Sequence, residues 1–441
     1  MTTRLVCAFA MLAGCSGDAA VAQVAQRDAS DLVQLAHSDL ARHGDGGEGM
    51  ALQQLGARRL LYIAHEGQTT CLSVVDVTDA SAPALVAQLP SPGPGVTRCN
   101  SLGLANGVLA VANQTLNVGQ QPAGMWLLDV SDLERVKRAH SLDDLRLAFF
   151  DTSGPHSRGV HWLWFADGEV AHLATGAADF EPTNASDHQF YMAVDVRDPR
   201  APRELGRWWL PGTRVGDACL PGCLPARQAI DDGYRAHSIE IDPRHRDRAY
   251  VGYIDGGMLI LDISRPAEPR LVSRLDYGPP YPAWTHTVQP LGDRKLAVVS
   301  DEAVRDHCAD GPKLVWLVDI RDEQHPTIIG TAPQPANVAA LCKRPGRFGA
   351  HNVAPALALR HTVVGTFFNG GVRVYHVADS AVPGAPPALE ELAYFIPQAP
   401  PGNHGVVAIN HAIVADNLIY AVDRITGGLY ILRYTGRVPL D

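Results

Sequence analysis

The runs Leu72-Ser73-Val74-Val75-Asp76-Val77, Met125-Trp126-Leu127-Leu128-Asp129-Val130, Met192-Ala193-Val194-Asp195-Val196, Leu259-Ile260-Leu261-Asp262-Ile263 and Val315-Trp316-Leu317-Val318-Asp319-Ile320 are copies of one element. Each is an apolar, strand-forming run that ends near an aspartate. Prolines follow four of them, at Pro83, Pro199 and Pro202, Pro269 and Pro326. A proline cannot donate to a sheet ladder, so the strand stops there. Two weaker copies, Val372-Arg373-Val374-Tyr375-His376-Val377 and Leu429-Tyr430-Ile431-Leu432-Arg433-Tyr434, bring the number to seven. An apolar run precedes each copy, as in Leu60-Leu61-Tyr62-Ile63, and a short one follows most, as in Leu85-Val86-Ala87 and Leu271-Val272-Ser273. Gly256-Gly257, Gly370-Gly371 and Gly427-Gly428 introduce three copies, as tight hairpins require. Four strands per repeat, at a period of about 40 to 60 residues, describe the blades of a β-propeller.

The repeated element resembles the LVIVD repeat of bacterial β-propellers over roughly residues 50 to 435, well in five copies and weakly in the last two. That resemblance implies an all-β, seven-bladed propeller. Insertions blur the count, so six and eight blades stay open. The seventh copy ends near Tyr434 without an outer strand, and Asp31-Leu32-Val33-Gln34-Leu35 has the look of the missing one. The expected organisation is a signal segment at 1–15, a tether at 16–30 and a single propeller at 31–441, closed by its N-terminal strand. Insertions near 131–157, 212–234 and 303–348 are expected to gather on one face and shape a pocket.

With 46% hydrophobic residues, 41 Gly and 32 Pro, the 441-residue chain is globular and rich in turns. Its formal charge of -10 and its lack of a basic block argue against nucleic acid as a partner. No apolar run reaches the roughly 18 residues a spanning helix needs. Arg4, the apolar stretch from Leu5 to Leu12, and Leu12-Ala13-Gly14-Cys15 resemble a bacterial lipoprotein signal with Cys15 as the lipidated residue. The expected location is therefore the periplasmic or outer face of a bacterial outer membrane. Six further cysteines in an oxidising compartment suggest disulfides. Sequential pairing of Cys71 with Cys99, Cys219 with Cys223 and Cys308 with Cys342 is the favoured one of 15 connectivities.

Five histidines, His161, His237, His286, His351 and His411, stand at the start of apolar runs in the third to seventh repeats. Aligned on the blades, they share one position on the innermost strand. Asn100 holds that position in the second repeat, and Met50 or a neighbour in the first. A residue repeated at one position of a closed array forms a ring in space, and a ring of imidazoles is a candidate metal site. The bland alternative is a ring of blade-to-blade hydrogen bonds. Asp301, Glu302 and Glu240 are candidate partners or acid–base groups for the histidines. Tyr234, Arg235, Tyr281 and Trp284, together with His404 and Asn100, are candidate pocket residues for an aromatic or anionic substrate. Carotenoid cleavage oxygenases and selenium-binding proteins are similar in architecture, with histidines on a propeller axis, but not along the sequence. No serine-hydrolase elbow, Walker loop or dinucleotide fingerprint is present. The expectation is a lipid-anchored propeller with a histidine-held transition metal. Ferrous iron is favoured over copper, manganese or zinc, for an oxidative reaction on a small organic substrate. The alternative is a non-catalytic module that binds a surface protein or glycan.

Overall fold

A computed structural model describes residues 28–218, 224, 232–282, 284–354, 361–382 and 384–440. Cys15, Cys219 and Cys223 lie outside the described residues, and so do the expectations that rest on them.

The chain forms seven antiparallel sheets arranged as the blades of a propeller. From the axis outward, blade one is Gly46–Leu55, Arg58–His65, Thr70–Asp76 and Ala84–Pro90. The repeated apolar run is the third strand of each blade. Its aspartate caps the following turn: Asp76, Asp129, Asp195, Asp262 and Asp319 each accept the backbone N–H two residues on. This is the Asx turn, in which a short side chain replaces a backbone acceptor. The second glycine of each Gly-Gly pair adopts a positive φ, and a Cβ at Gly257 would lie 2.2 Å from the Leu275 carbonyl of the outer strand. Only glycine permits that approach.

The N-terminal segment closes the ring. Leu32–Ser38 pairs with Leu429–Tyr434 as the outer strand of blade seven. Asp28–Ser30, which the sequence places in the tether, adds a further strand to blade six beside Ala388–Ile396. A left-handed residue, Asp31, turns the chain from one blade to the next. Leu32 is buried among Tyr430, Leu432 and Tyr434, whereas Val33 is half exposed.

Two disulfides tie neighbouring parts of the ring, Cys71–Cys99 and Cys308–Cys342. The insertions do not all share a face. Antiparallel strands alternate the ends at which their connections lie. The segments 303–314 and 332–350, with the described part of 212–234, lie at the end where the histidines stand. The segment 131–145, which carries the short helix Leu133–Arg138, connects a third strand to a fourth and lies at the opposite end.

Closure by the N-terminal strand sets an expectation. Leu32→Ala leaves a cavity in the seam and should cost about 2–5 kcal/mol, whereas Val33→Ala should stay within about 0.5 kcal/mol. Denaturant midpoints of the two variants check this; equal losses would contradict closure through Leu32.

Candidate metal centre on the propeller axis

The innermost strands place seven polar side chains around the axis: Glu48, Asn100, His161, His237, His286, His351 and His411. All are buried. The first is a carboxylate, and in the first blade it is this neighbour of Met50, not Met50 itself, that reaches the axis. Gly46–Leu55 has an irregular register between Gly46 and Met50. Glu48 donates its N–H to the Asn100 carbonyl at 2.6 Å, and a Cβ on Gly49 would lie 2.2 Å from the Leu102 nitrogen. The glycines on either side let this strand lie against blade two while Glu48 turns to the axis.

Glu48 faces two imidazoles. His286 Nε2 lies 3.5 Å from Glu48 Oε2, and His351 Nε2 lies 3.6 Å from Glu48 Oε1. Glu302 approaches the same nitrogens at 3.9 and 3.7 Å. An ion held tetrahedrally at about 2.1 Å sets its donors about 3.4 Å apart. Glu48, His237 and His286 each offer a donor atom within 4.8 Å of the others, as do His286, Glu302 and His351.

The surrounding hydrogen bonds fix where the protons sit. His351 Nδ1 donates to the Asn410 carbonyl at 2.8 Å. The Thr287 hydroxyl donates to Asn352 Oδ1 and accepts from His286 Nδ1 at 2.8 Å. In the neutral imidazoles both Nε2 atoms therefore carry bare lone pairs. Glu48 Oε2, His286 Nε2 and His351 Nε2 are buried with no hydrogen-bond partner. Electron-rich atoms that converge in this way repel one another unless a cation stands between them.

His161 and His237 are partly used by each other. Gln114 Oε1 accepts from Arg98, so His161 must donate to it through Nδ1 and accept through Nε2. His237 Nε2 then donates to His161 Nε2 at 2.7 Å, which leaves His237 Nδ1 buried and unpartnered. Burial pushes the pKa of His161, His237 and His286 down, and holds His411 down to about 3. For Glu48, burial opposes ionisation, yet hydrogen bonding and charge from His286 and His351 hold it well below the usual carboxylate range. Burial thus favours neutral imidazoles at His161, His237, His286 and His411, while an ionised Glu48 needs a positive charge beside it, from a protonated imidazole or from a cation at this point.

The other candidates divide between the two ends of the axis. Glu302 is in the cluster, but Asp301, its neighbour, is turned into the blade, where Tyr277 and Trp316 donate to it at 2.7 and 2.9 Å. Arg235 and Trp284 line a cavity of about 210 Å³ on the histidine face. Trp284 holds a positive φ, donates to Asp232 at 2.7 Å and carries the Arg235 guanidinium over its ring. Tyr234 is instead packed in the core between blades three and four. Tyr281 is exposed against Trp316, and His404 is exposed on a loop; neither lines that cavity. Asn100 donates to the His161 carbonyl at 3.2 Å. His411 and Glu240 line a second cavity, about 340 Å³, at the opposite end beside Trp162. Burial raises Glu240 to about 8. Arg98, Arg158, Arg347 and Arg424, which sequence reading did not single out, also line the histidine-face cavity. A larger cavity of about 760 Å³, lined by His37 and Tyr430, lies at the outer strands of blade seven, away from the axis.

Residues 247–276 match the LVIVD repeat family model. They cover the second to fourth strands of blade four. No curated protein sequence matches the chain. Among solved structures, the chain is similar to the β-propeller domain of Cps50 (Swd1) from Myceliophteria thermophila, with a TM-score of 0.51 and 13% identity over 88% of this chain and 98% of that one. It is also similar to Raptor from Chaetomium thermophilum, with a TM-score of 0.51 and 13% identity over 89% of this chain and 28% of that one. At such identity the likeness is one of fold alone.

The buried histidines set a pH dependence. Six of them, the four above with His172 (about 4) and His188 (about 3), have folded pKa values below the ordinary one. The unfolded chain protonates near pH 6.5 and the folded chain does not until lower pH. Stability is full above that pH and falls as the pH drops towards 4, by about 1.4 kcal/mol per unit for each histidine that stays neutral. Glu240, and Asp301 at about 6, act in the opposite direction because their folded values are raised. Urea midpoints of metal-free protein should be lower at pH 5 than at pH 7, and Glu240→Gln should widen that gap. A midpoint that is equal or higher at pH 5 would contradict neutral buried histidines.

Proposed function

We propose that the chain is a metalloprotein whose axis holds one divalent transition metal through Glu48, His286 and His351, with Glu302 and His237 within reach. The observation that carries this reading is that buried atoms of Glu48, His286 and His351 have no hydrogen-bond partner while each imidazole Nε2 lies 3.5 or 3.6 Å from a Glu48 oxygen. Two imidazoles and a carboxylate with open positions are a donor set suited to ferrous iron, and copper, manganese and zinc also accept such ligands. A metal so held would polarise a bound substrate or dioxygen, and an oxidative reaction on a small organic molecule is the favoured activity.

The chain's own residues supply the rest. The Asn410 carbonyl and Thr287 orient His351 and His286, so that each nitrogen is aimed before any ion arrives. Trp284, Phe368 and the walls of the narrow mouth limit water at the site. Export with a lipid anchor at Cys15 belongs to the same proposal. A second reading, a non-catalytic module for a surface protein or glycan, draws support from the His161–His237 hydrogen bond, which ties two blades without a metal.

Purified protein should carry close to one equivalent of iron or another of these metals per chain, or acquire it on reconstitution. Glu48→Gln and His286→Ala should each weaken binding tenfold or more. At a metal concentration 100 times Kd, the wild type should gain about 2.7 kcal/mol of stability. Metal assay and unfolding with and without chelator check this. Wild-type protein that takes up none of the four metals would favour the second reading.

A further inference from the structure

The mouth above the cluster is built from guanidinium groups. Arg98, Arg158, Arg235, Arg347 and Arg424 line one cavity of about 210 Å³, with Glu48, His161 and His237 below them. They come from different blades and connections, so the fold gathers them as it gathers the ring.

Three of the five share two carboxylates. Arg347 donates to Glu302 at 3.1 Å. Arg424 pairs with Glu66, and its second terminal nitrogen is buried without a hydrogen-bond partner, 3.7 Å from Glu302. Arg98 binds Gln114 and lies 3.4 Å from Glu66. Arg158 and Arg235 have no ion pair among the described residues. Arg158 donates through Nε to the Thr115 carbonyl, and its two terminal nitrogens have no protein partner among the described residues. Arg235 spends Nε on the Asp232 carbonyl and one terminal nitrogen on Gln189, with its plane over Trp284. Asp232, Asp255 and Glu302 are near enough to favour its charge. Arg158 has no such neighbour: burial, then Arg98 and Arg235, hold its pKa down to about 10. Like charges gathered in a partly enclosed site are costly unless an anion joins them.

We propose that this mouth binds the anionic head of a small organic molecule, a carboxylate or phosphate group, in the fork of Arg158 and Arg235. The head would sit beside Arg98, and the rest of the molecule would reach down over Glu48 and His237. A planar guanidinium donates two parallel hydrogen bonds to the paired oxygens of such a group. The cavity is below the roughly 300–1,000 Å³ of drug-sized sites, which limits the ligand to a few carbons. The inference deepens the reading of the axial site, since it assigns the class of substrate, but it does not need the metal.

Calorimetric titration of metal-free protein with succinate, and separately with inorganic phosphate, at constant ionic strength tests it. One saturating site per chain is expected for at least one of the two. Succinate alone identifies the head as a carboxylate, and phosphate alone as a phosphate. Arg158→Gln should weaken that binding tenfold or more, and Arg158→Lys, which keeps the charge and loses the fork, should fall between. Arg437→Gln, at an exposed position, should leave it unchanged. If Arg158→Gln does not fold, Arg235→Lys carries the same test. Absence of binding by both anions in the millimolar range, or binding indifferent to the Arg158 and Arg235 variants, overturns the proposal. A protein that takes up metal but neither anion refutes this inference alone. One that binds an anion but no metal refutes only the metal reading.

Discussion

Three buried polar atoms that face one another on the axis set the terms for this molecule. Glu48, His286 and His351 converge on the axis, and inward atoms of all three have no hydrogen-bond partner. Each unsatisfied buried polar group costs about 1–3 kcal/mol, and their mutual repulsion adds to that. A fold that keeps such atoms aimed at one another does so because the surroundings over-determine them. The Asn410 carbonyl holds one imidazole, the Thr287–Asn352 pair holds another, and two glycines let the first strand bulge so that its carboxylate reaches the centre. A cation at that point turns the repulsion into attraction.

The propeller makes this economical. Each blade contributes one side chain from its innermost strand, and closure of blade seven by Leu32–Ser38 fixes the ring's circumference. The two ends of the axis are then free to differ. On the histidine face, five arginines crowd a small mouth above the cluster. At the other end, Trp162, Trp164 and neighbouring aliphatic residues line a cavity together with His411, Arg59 and two carboxyls, Glu48 and the raised Glu240. The far cavity is lined mainly by the innermost strands themselves, whereas Arg158, Arg235, Arg347 and Arg424 come from connections between strands.

Much of the fold was legible because its signals are local. An aspartate that caps the turn after its own strand leaves a mark at a fixed offset, and five such marks gave the blades. The ring histidines were legible because one structural position repeats with the blade. Glu48 was not, since the bulge shifts it two residues from the aligned position of Met50. Its signal was the run Gly46-Gly47-Glu48-Gly49, a charged residue among glycines at the start of a strand. Adjacent residues of extended chain point to opposite sides, which explains why Glu302 faces the axis and Asp301 the blade. It also explains why Arg235 lines the mouth while Tyr234 is packed in the core. Without register, sequence could not choose between them. The remaining arginines come from connections that differ from blade to blade, so no period marks them.

The most direct test of the central claim is anomalous diffraction from crystals of the protein, measured across the absorption edges of iron, copper, manganese and zinc. The account predicts a single peak on the axis at one of these edges, about 2.0–2.2 Å from Glu48 and from the Nε2 atoms of His286 and His351. No anomalous peak after loading, with water or a proton joining these three residues instead, would contradict it.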